Sequence, residues 1–533
     1  MFLESYCEHR DGRKVTGRCQ GRLEFGGIKA QKRGSHGFLF DSSTMGRISS
    51  LKITFQSAVY PRMVKGSILL TKHLSRLEYG GVALLTAVGF SLRFAHVGRA
   101  SLWLDEAATA AIAGLDRTSF WIVLFSREMN MVAYYCVLRL IPPLQGSEVL
   151  LRLLSVIFGT GVIIAVWLLA KEVLTEPGER LWAVAAAALV AVNGFLIAYS
   201  QEARGYAMAL CLLVLSACAA VVVVRTGKLR ATWCLLALAA IYSHFYTVLW
   251  IAPQAWAIWK THRQEGRKFF ARITVITAAG LLPLSVFMLR TRGGQLDWVP
   301  RLTPAYFFDV LAQLAGYSRV ALLLLLTGSM AGSIRLWRRS DVVSRLIVME
   351  NALPVGVLLA LSALHPLFVS RFLIFAVPFL VLTAVEGFVA LGEIPGAALS
   401  AGAFVAMLVV GNQAPRKADW RSMTNYLCAQ HGQAIAFWPS MQKFPYWYYS
   451  KSNPACPKPV FPEELRVTVS DFQPVKREFD TRLCAAKAES VLIVTDSESQ
   501  PRSKAAGTPT PCYLPVSTTF RDGLQLFLLR SKN

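Results

Sequence analysis

The chain has 533 residues, 54% of them hydrophobic and 17% charged, and a mean hydropathy of +0.43. A soluble protein of this length is less apolar, so a membrane protein with many spans is expected. The formal net charge is +24, but the lysines and arginines gather in short loops between apolar segments, which reads as membrane topology rather than nucleic-acid binding.

Residues 1–62 are polar and basic, lack helical or strand periodicity, and lack the apolar core of a signal peptide; disorder is expected there. A start at Met63 gives a short basic leader, Lys65, Lys72 and Arg76, running into the first span, so the upstream stretch reads as a start-site artefact. Apolar segments of spanning length then follow at residues 78–97, 150–170, 181–199, 206–224, 230–245, 246–260, 273–289, 320–337, 343–364, 371–391 and 397–412, about eleven in all. With a cytoplasmic N-terminus, the densest basic clusters, Arg225 to Arg230, Lys260 to Arg272 and Arg335 to Arg339, fall on the inside, and the C-terminus falls outside. The stretch Met131–Leu144 is too short to span easily and carries Tyr134, Tyr135 and Arg139, so it reads as an interfacial helix in a long first outside loop.

Residues 413–533 contain no spanning segment. Short apolar runs at 434–438, 491–494 and 524–529 alternate with a helical stretch at 419–429, which predicts a small soluble α/β domain. Its Cys428, Cys456, Cys484 and Cys512 form an even set in a non-cytoplasmic compartment, where one or two disulfides are expected with the pairing open. The expected organisation is therefore a basic tail (1–62), a transmembrane domain (63–412) and a non-cytoplasmic domain (413–533).

The polar exceptions converge on one membrane face. Asp105 and Glu106 follow the first span directly in Trp103-Leu104-Asp105-Glu106, where hydrocarbon meets water and an ionised group is costly unless it is used. Glu202, Arg204 and Tyr206, then Tyr242, His244 and Tyr246, then His365 and Arg371, fall on the same side, as does the loop holding Asp297 and Trp298. Singly these have quieter readings: anchoring arginines, a packing histidine, or Glu202 paired with Arg204. Glu350 and Glu386 lie within helices and are not assigned to this face; helix packing or a cytoplasmic-side role accounts for them equally well. Together, arginines suit phosphate, carboxylates suit a base or a metal, and tyrosines suit hydroxyl-rich substrates. No phosphate-cradling Gly-rich loop, His-Glu-x-x-His helix or Gly-x-Ser-x-Gly elbow is present in the sequence, which sets aside nucleoside triphosphate and serine hydrolase chemistry.

These residues resemble the GT-C glycosyltransferase superfamily, especially the family 39 branch containing protein O-mannosyltransferases and lipid A aminoarabinose transferases. The resemblance covers roughly residues 78–430. It rests on Trp103-Leu104-Asp105-Glu106, Gln201-Glu202-Ala203-Arg204-Gly205-Tyr206, Tyr242-Ser243-His244-Phe245, His365-Pro366 through Arg371-Phe372, and Asp419-Trp420-Arg421. It implies a GT-C fold in the cell (inner or plasma) membrane. It also implies inverting transfer of a sugar from a polyprenyl-phosphate donor to a glycan, lipid or protein acceptor on the non-cytoplasmic face. Asp105 would be the base and Glu106 its support, with the two carboxylates raising one another's pKa. Arg204, Arg371 and His244 would face the donor phosphate, and Tyr134, Tyr135, Asn130, Glu202, Tyr206, Tyr242 and His365 would line the substrate site. The resemblance leaves open a divalent metal at His244 and Asp105. The chain departs from its relatives at Glu128-Met129-Asn130-Met131, where many have His-Pro-Pro or Glu-Lys-Pro-Pro; Asn130 brings no positive charge there.

Two other classes share some of these features. A transporter or flippase of lipid-linked sugars predicts internal repeats and broken helices, and no repeated motif links the two halves. A polymerase or ligase of lipid-linked glycans shares the donor chemistry but predicts catalytic residues in a large outside loop nearer the C-terminal half.

Overall fold

The computed structural model describes residues 8–10, 14–16, 60–126, 128–175, 179–265, 267–290, 299–411, 413, 417–430, 434–460, 476–496, 510–521 and 524–532; Asp297, Trp298 and most of residues 1–62 lie outside them. It divides into two units, residues 1–79 and 80–533. The first contains an antiparallel pair, β1 (Glu8–Arg10) and β2 (Lys14–Thr16), too short for strand periodicity to register in the sequence.

Each apolar segment coincides with a helix or helix pair. Helix α1 (Tyr60–Phe94) is followed by three short helices, α2 (Leu104–Ala113), α3 (Arg117–Ser126) and α4 (Val132–Leu140), which make up the long first loop. Then come α5 (Glu148–Val173), α6 (Trp182–Val192), α7 (Gly194–Ser200), α8 (Tyr206–Thr226), α9 (Arg230–Ser243), α10 (Val248–His262) and α11 (Arg267–Arg290). The last are α12 (Pro304–Leu314), α13 (Arg319–Arg339), α14 (Val342–Leu361), α15 (Ser370–Ala390) and α16 (Glu393–Val410). Among the described residues, α5, α8, α13, α14, α15 and α16 are each long and apolar enough to cross a bilayer alone, and α6 with α7 make a seventh span bent by 60°. Large apolar side chains such as Leu323, Met330 and Val409 are 64%, 66% and 80% exposed, as lipid-facing positions of such helices are.

Apart from the long segments before α5 and before α13, the membrane helices are joined by short turns, and their ends sort into two groups. The ends near Phe94, Glu148, Ser200, Tyr206, Ser243, Leu361 and Ser370 form one; those near Val173, Thr226, His262 and Arg339, with the basic clusters, form the other. Close packing holds the bundle. On α13, Gly328 and Gly332 face Gly387 on α15 so tightly that a Cβ at Gly332 would lie 1.9 Å from the Thr383 carbonyl oxygen. This is the small-residue contact that lets membrane helices approach backbone to backbone. At the 60° bend, carbonyls released from the helical ladder need donors in a medium without water. Arg93 of α1, fully buried, donates to Val190 O (3.1 Å) and Ala191 O (2.9 Å), and Asn193 accepts from Leu196 N at 3.0 Å.

Beyond α16 lies the small domain: α17 (Trp420–Cys428), β3 (Ala434–Phe437), α18 (Lys443–Ser450), α19 (Lys476–Ala485), β4 (Ser490–Asp496), β5 (Tyr513–Arg521) and β6 (Leu524–Ser531). The sheet order is β3-β4-β6-β5, with β3 parallel to β4 and the other pairs antiparallel. Asp419 caps α17, its Oδ1 accepting from Ser422 N at 3.2 Å, and Trp420 is buried beneath the sheet. The disulfides are Cys428–Cys456 and Cys484–Cys512, one of the three pairings open in the sequence. Among the described cysteines, thiol labelling of the denatured, unreduced protein should therefore modify Cys136, Cys211, Cys218 and Cys234 and leave Cys428, Cys456, Cys484 and Cys512 closed until reduction. Cys484→Ser should destabilise the domain by about 2–4 kcal/mol in thermal unfolding; labelling of Cys428 before reduction would contradict the pairing.

Candidate functional site

Helix α2 begins at Leu104, so Asp105 and Glu106 occupy its first turn, where carboxylates meet the positive helix terminus. Successive helical residues point about 100° apart, and the pair separates accordingly. Glu106 turns inward and is completely buried. It accepts from Arg152 Nε at 2.7 Å, Arg152 Nη2 at 2.6 Å, Ala203 N at 2.8 Å and Trp103 N at 3.4 Å. Burial pushes its carboxyl upward, but the Arg152 charge and hydrogen bonds, with Lys417 and the Ala203 N–H, together hold it below the ordinary range. The expectation that neighbouring carboxylates raise one another is thus overturned at Glu106 by a dedicated cation. Arg152, one turn into α5, also donates to Val97 O (2.6 Å), Ala100 O (2.8 Å) and Ser101 O (3.1 Å), tying the end of the first span to α2.

Asp105 turns outward, with 24% of its side chain exposed. Two guanidiniums flank it: Arg371 Nη1 lies 3.6 Å and Arg204 Nη2 4.0 Å from Oδ2. Arg204 Nη1 donates to Tyr135 Oη (3.1 Å) and Thr109 Oγ1 (3.3 Å), while its Nη2 stands 3.9 Å from Glu128 Oε1. Tyr135 Oη donates in turn to Glu128 at 3.0 Å. Enclosure pushes the Glu128 carboxyl above its ordinary range, against the opposing pull of Arg204 and Tyr135. Glu128 belongs to this cluster, though the sequence reading marked its segment only as a departure from relatives. Arg204 sits in the tight turn between α7 and α8, which packs so closely that a Cβ at Gly205 would lie 2.8 Å from the Ser243 carbonyl oxygen.

His244, at the break between α9 and α10, is completely buried, and among the described residues neither ring nitrogen has a hydrogen-bond partner. Its ring stands 5.1 Å from Tyr206, 5.7 Å from Tyr246, 5.8 Å from Phe372 and 5.2 Å from Phe375. Asn130 holds that break from the other side, its Oδ1 accepting from Phe245 N at 3.0 Å. Tyr134 is buried against Ser155, Oη to Oγ 3.0 Å. Tyr242 turns to α11 and donates to Gly280 O at 2.5 Å, and His365 is exposed in the loop after α14. The Glu202 side chain pairs with Lys417 at 2.6 Å rather than with Arg204, whose link to it is the backbone bond Arg204 N to Glu202 O at 2.8 Å. Lys417, just beyond α16, carried no sequence signal except its place before Asp419-Trp420-Arg421.

Among the described residues no three His, Cys, Asp or Glu side chains converge as a metal site. Between the carboxylates of Asp105 and Glu128, the place a dication would take is filled by the Arg204 guanidinium, and the ring neighbours of His244 are aromatic. The donor set around Asp105 and His244 therefore does not fit a metal. It forms an acid flanked by two fixed cations, suited to an anionic substrate.

No family model matches the sequence, and no curated protein sequence matches it. Solved structures do match. ArnT from Cupriavidus metallidurans in the apo state aligns with a TM-score of 0.50 at 12% identity, covering 85% of this chain and 98% of that one. The apo oligosaccharyltransferase of Archaeoglobus fulgidus gives 0.52 at 10% identity, covering 81% and 71%. AglB from Archaeoglobus fulgidus, in complex with an inhibitory peptide and a dolichol-phosphate, gives 0.50 at 11% identity, covering 84% and 74%. The chain shares the fold of these proteins, the GT-C fold expected from its sequence, with a small C-terminal sheet domain.

The geometry separates the adjacent acids by test. Glu106→Gln leaves Arg152 buried against a neutral partner and should cost about 3–5 kcal/mol, read as a large fall in unfolding temperature in nanodiscs. Asp105→Asn should change it little; equal losses in both variants would contradict the division.

Proposed function

We propose that the protein is an inverting glycosyltransferase that takes a sugar from a polyprenyl-phosphate donor and passes it to an acceptor hydroxyl on the non-cytoplasmic face of the cell membrane. The carrying observation is the partly exposed Asp105 carboxylate set between Arg204 and Arg371, at the bundle end opposite the basic loops. Positive loops face the cytoplasm, so this end and the C-terminal domain (413–533) are assigned to the other side, with 63–412 as the catalytic domain. The GT-C fold and the dolichol-phosphate bound to AglB support this reading.

The residues divide the chemistry plainly. The acceptor oxygen attacks the anomeric carbon, the bond from that carbon to the phosphate oxygen breaks, and its electron pair leaves with the phosphate. Asp105 takes the acceptor proton. Arg204 and Arg371 meet the growing phosphate charge; they stand 4.0 and 3.6 Å from Asp105, so a phosphate beside that carboxylate lies within reach of both guanidiniums. Because the leaving group is already an anion stabilised by cations, one carboxylate suffices, unlike the pair in a glycoside hydrolase. Glu128 and Tyr135 hold Arg204 in place, Glu106 fixes α2, and the aromatic wall of Tyr206, Tyr246 and His244 borders the cluster. Glycan, lipid and protein acceptors all offer the required hydroxyl.

Sugar release from a panel of radiolabelled polyprenyl-phosphate monosaccharides tests the reading. Wild type should turn over at least one donor, and Asp105→Asn should lower kcat at least about 100-fold with donor binding retained. No turnover of any donor, or equal turnover in both proteins, would overturn it and favour a transporter. A second outcome concerns pH. Since the Glu128 carboxyl is raised and its ionised form supports Arg204, the acid limb of the rate profile should lie higher than for an ordinary carboxylate. Glu128→Gln should shift that midpoint downward; an unmoved midpoint would contradict the role.

A further inference from the structure

The C-terminal domain reaches into the cluster just described. Lys417 Nζ is 2.6 Å from Glu202 Oε1 and lies 4.2 Å from the centre of the Trp103 ring, a cation–π distance. Glu202 is two residues before Arg204, and Trp103 is two residues before Asp105, so one ammonium group joins the two segments that carry the base and its cation. Among the described residues the other Glu202 oxygen, Oε2, is buried without a hydrogen-bond partner. Lys417 is thus the one described side chain bonded to that carboxylate, and its charge also favours the ionised form of Glu106.

Neighbouring contacts follow the same pattern. Trp420 N donates to Ser101 Oγ (3.0 Å), which donates to Ala418 O (3.2 Å); Leu102 N donates to Tyr449 Oη at 2.6 Å. Tyr449 Oη donates to Glu148 at 2.5 Å, and Arg421 pairs with the same carboxylate and with Gly98 O (3.3 Å). All of these fall on residues 98–103 or on the first residue of α5, one turn from Arg152.

We propose that the C-terminal domain is a clamp that assembles the membrane-surface site, and that Lys417 is its positioning residue, setting Asp105 and Arg204 at working distance. The inference rests on the proposed glycosyl transfer for its kinetic readout and on exchange data for an independent one. A domain that merely recruited acceptor would need no bond to Leu102 N or to Glu202. The chemistry required of Lys417 is a charge that bridges a carboxylate and an aromatic face, which arginine also provides.

The test uses the full chain in nanodiscs as wild type, Lys417→Gln and Lys417→Arg. Lys417→Gln should lower kcat about tenfold, while the affinity for polyprenyl phosphate, measured directly, stays within about twofold; Lys417→Arg should recover most of the rate. Hydrogen–deuterium exchange should rise in Lys417→Gln over both 98–106 and 200–206, and stay near wild type in Lys417→Arg. Unchanged exchange in both segments overturns the clamp whatever the kinetics. A selective loss of polyprenyl phosphate affinity with kcat intact also overturns it, making Lys417 a phosphate ligand instead. If the wild type turns over no donor, the glycosyl-transfer reading fails, and the exchange data alone still decide the clamp.

Discussion

The buried pair between Glu106 and Arg152 is the constraint on which the site depends. Removing a carboxylate and a guanidinium from water is expensive, and their attraction offsets it only when the remaining lone pairs and protons are also bonded. Here they are. Glu106 collects the N–H groups of Ala203 and Trp103 besides the guanidinium, and Arg152 spends its other donors on Val97, Ala100 and Ser101. Four stretches of chain are thereby fixed to one another: the exit of the first span, on which the C-terminal domain also docks, the start of α2, the start of α5 and the turn carrying Arg204. With Glu106 held inward, the helical step of about 100° leaves Asp105 outward.

Charge is arranged oppositely at the two ends of the bundle. At the Asp105 end, Arg204 and Arg371 face an acid at loose distances. At the far end, Arg335 and Arg339 share Glu386 at 3.1 and 2.8 Å and Glu179 at 2.7 and 3.6 Å. Helix α14, with 20 residues, spans about 30 Å between those ends. The far cluster pairs its acids closely, whereas the near cluster sets Arg204 and Arg371 3.6–4.0 Å from the partly exposed Asp105, with Glu128 3.9 Å from Arg204. Glu350, midway, bonds to Gln254 at 2.9 Å, and that amide accepts from Trp233 and Ser216 at 2.9 Å each. The two intrahelical acids set apart in the sequence thus serve helix packing in different ways.

Much of the architecture was legible because hydropathy is a strong signal. Long apolar runs, basic turns and the change in character after Gly411 report the bilayer directly, and the break at Ser243-His244-Phe245 showed as two short runs. The convergence of Asp105, Arg204 and Arg371 followed from counting spans. What the sequence withheld was partner choice. Adjacent acids look alike in a string, and only the bundle shows that Arg152, one of many basic residues at span ends, faces the second of them. Lys417 likewise reads as a topological charge. Tyr242 still lies in α9 and turns to Gly280, whereas His244 follows the helix end in extended backbone and faces Tyr206. His365 follows the C-terminal turn of α14 and is left in an exposed loop, a placement no motif could report.

The most direct test of the account is a cryo-electron-microscopy structure of the full chain in nanodiscs with polyprenyl phosphate bound. The phosphate should lie within about 4 Å of both Arg204 and Arg371, beside an unmoved Asp105, with the Glu106–Arg152 pair intact. A phosphate seated instead against Arg335 and Arg339, about 30 Å away, would contradict the placement of the site and with it the reading of the Asp105 end as the place where sugar is transferred.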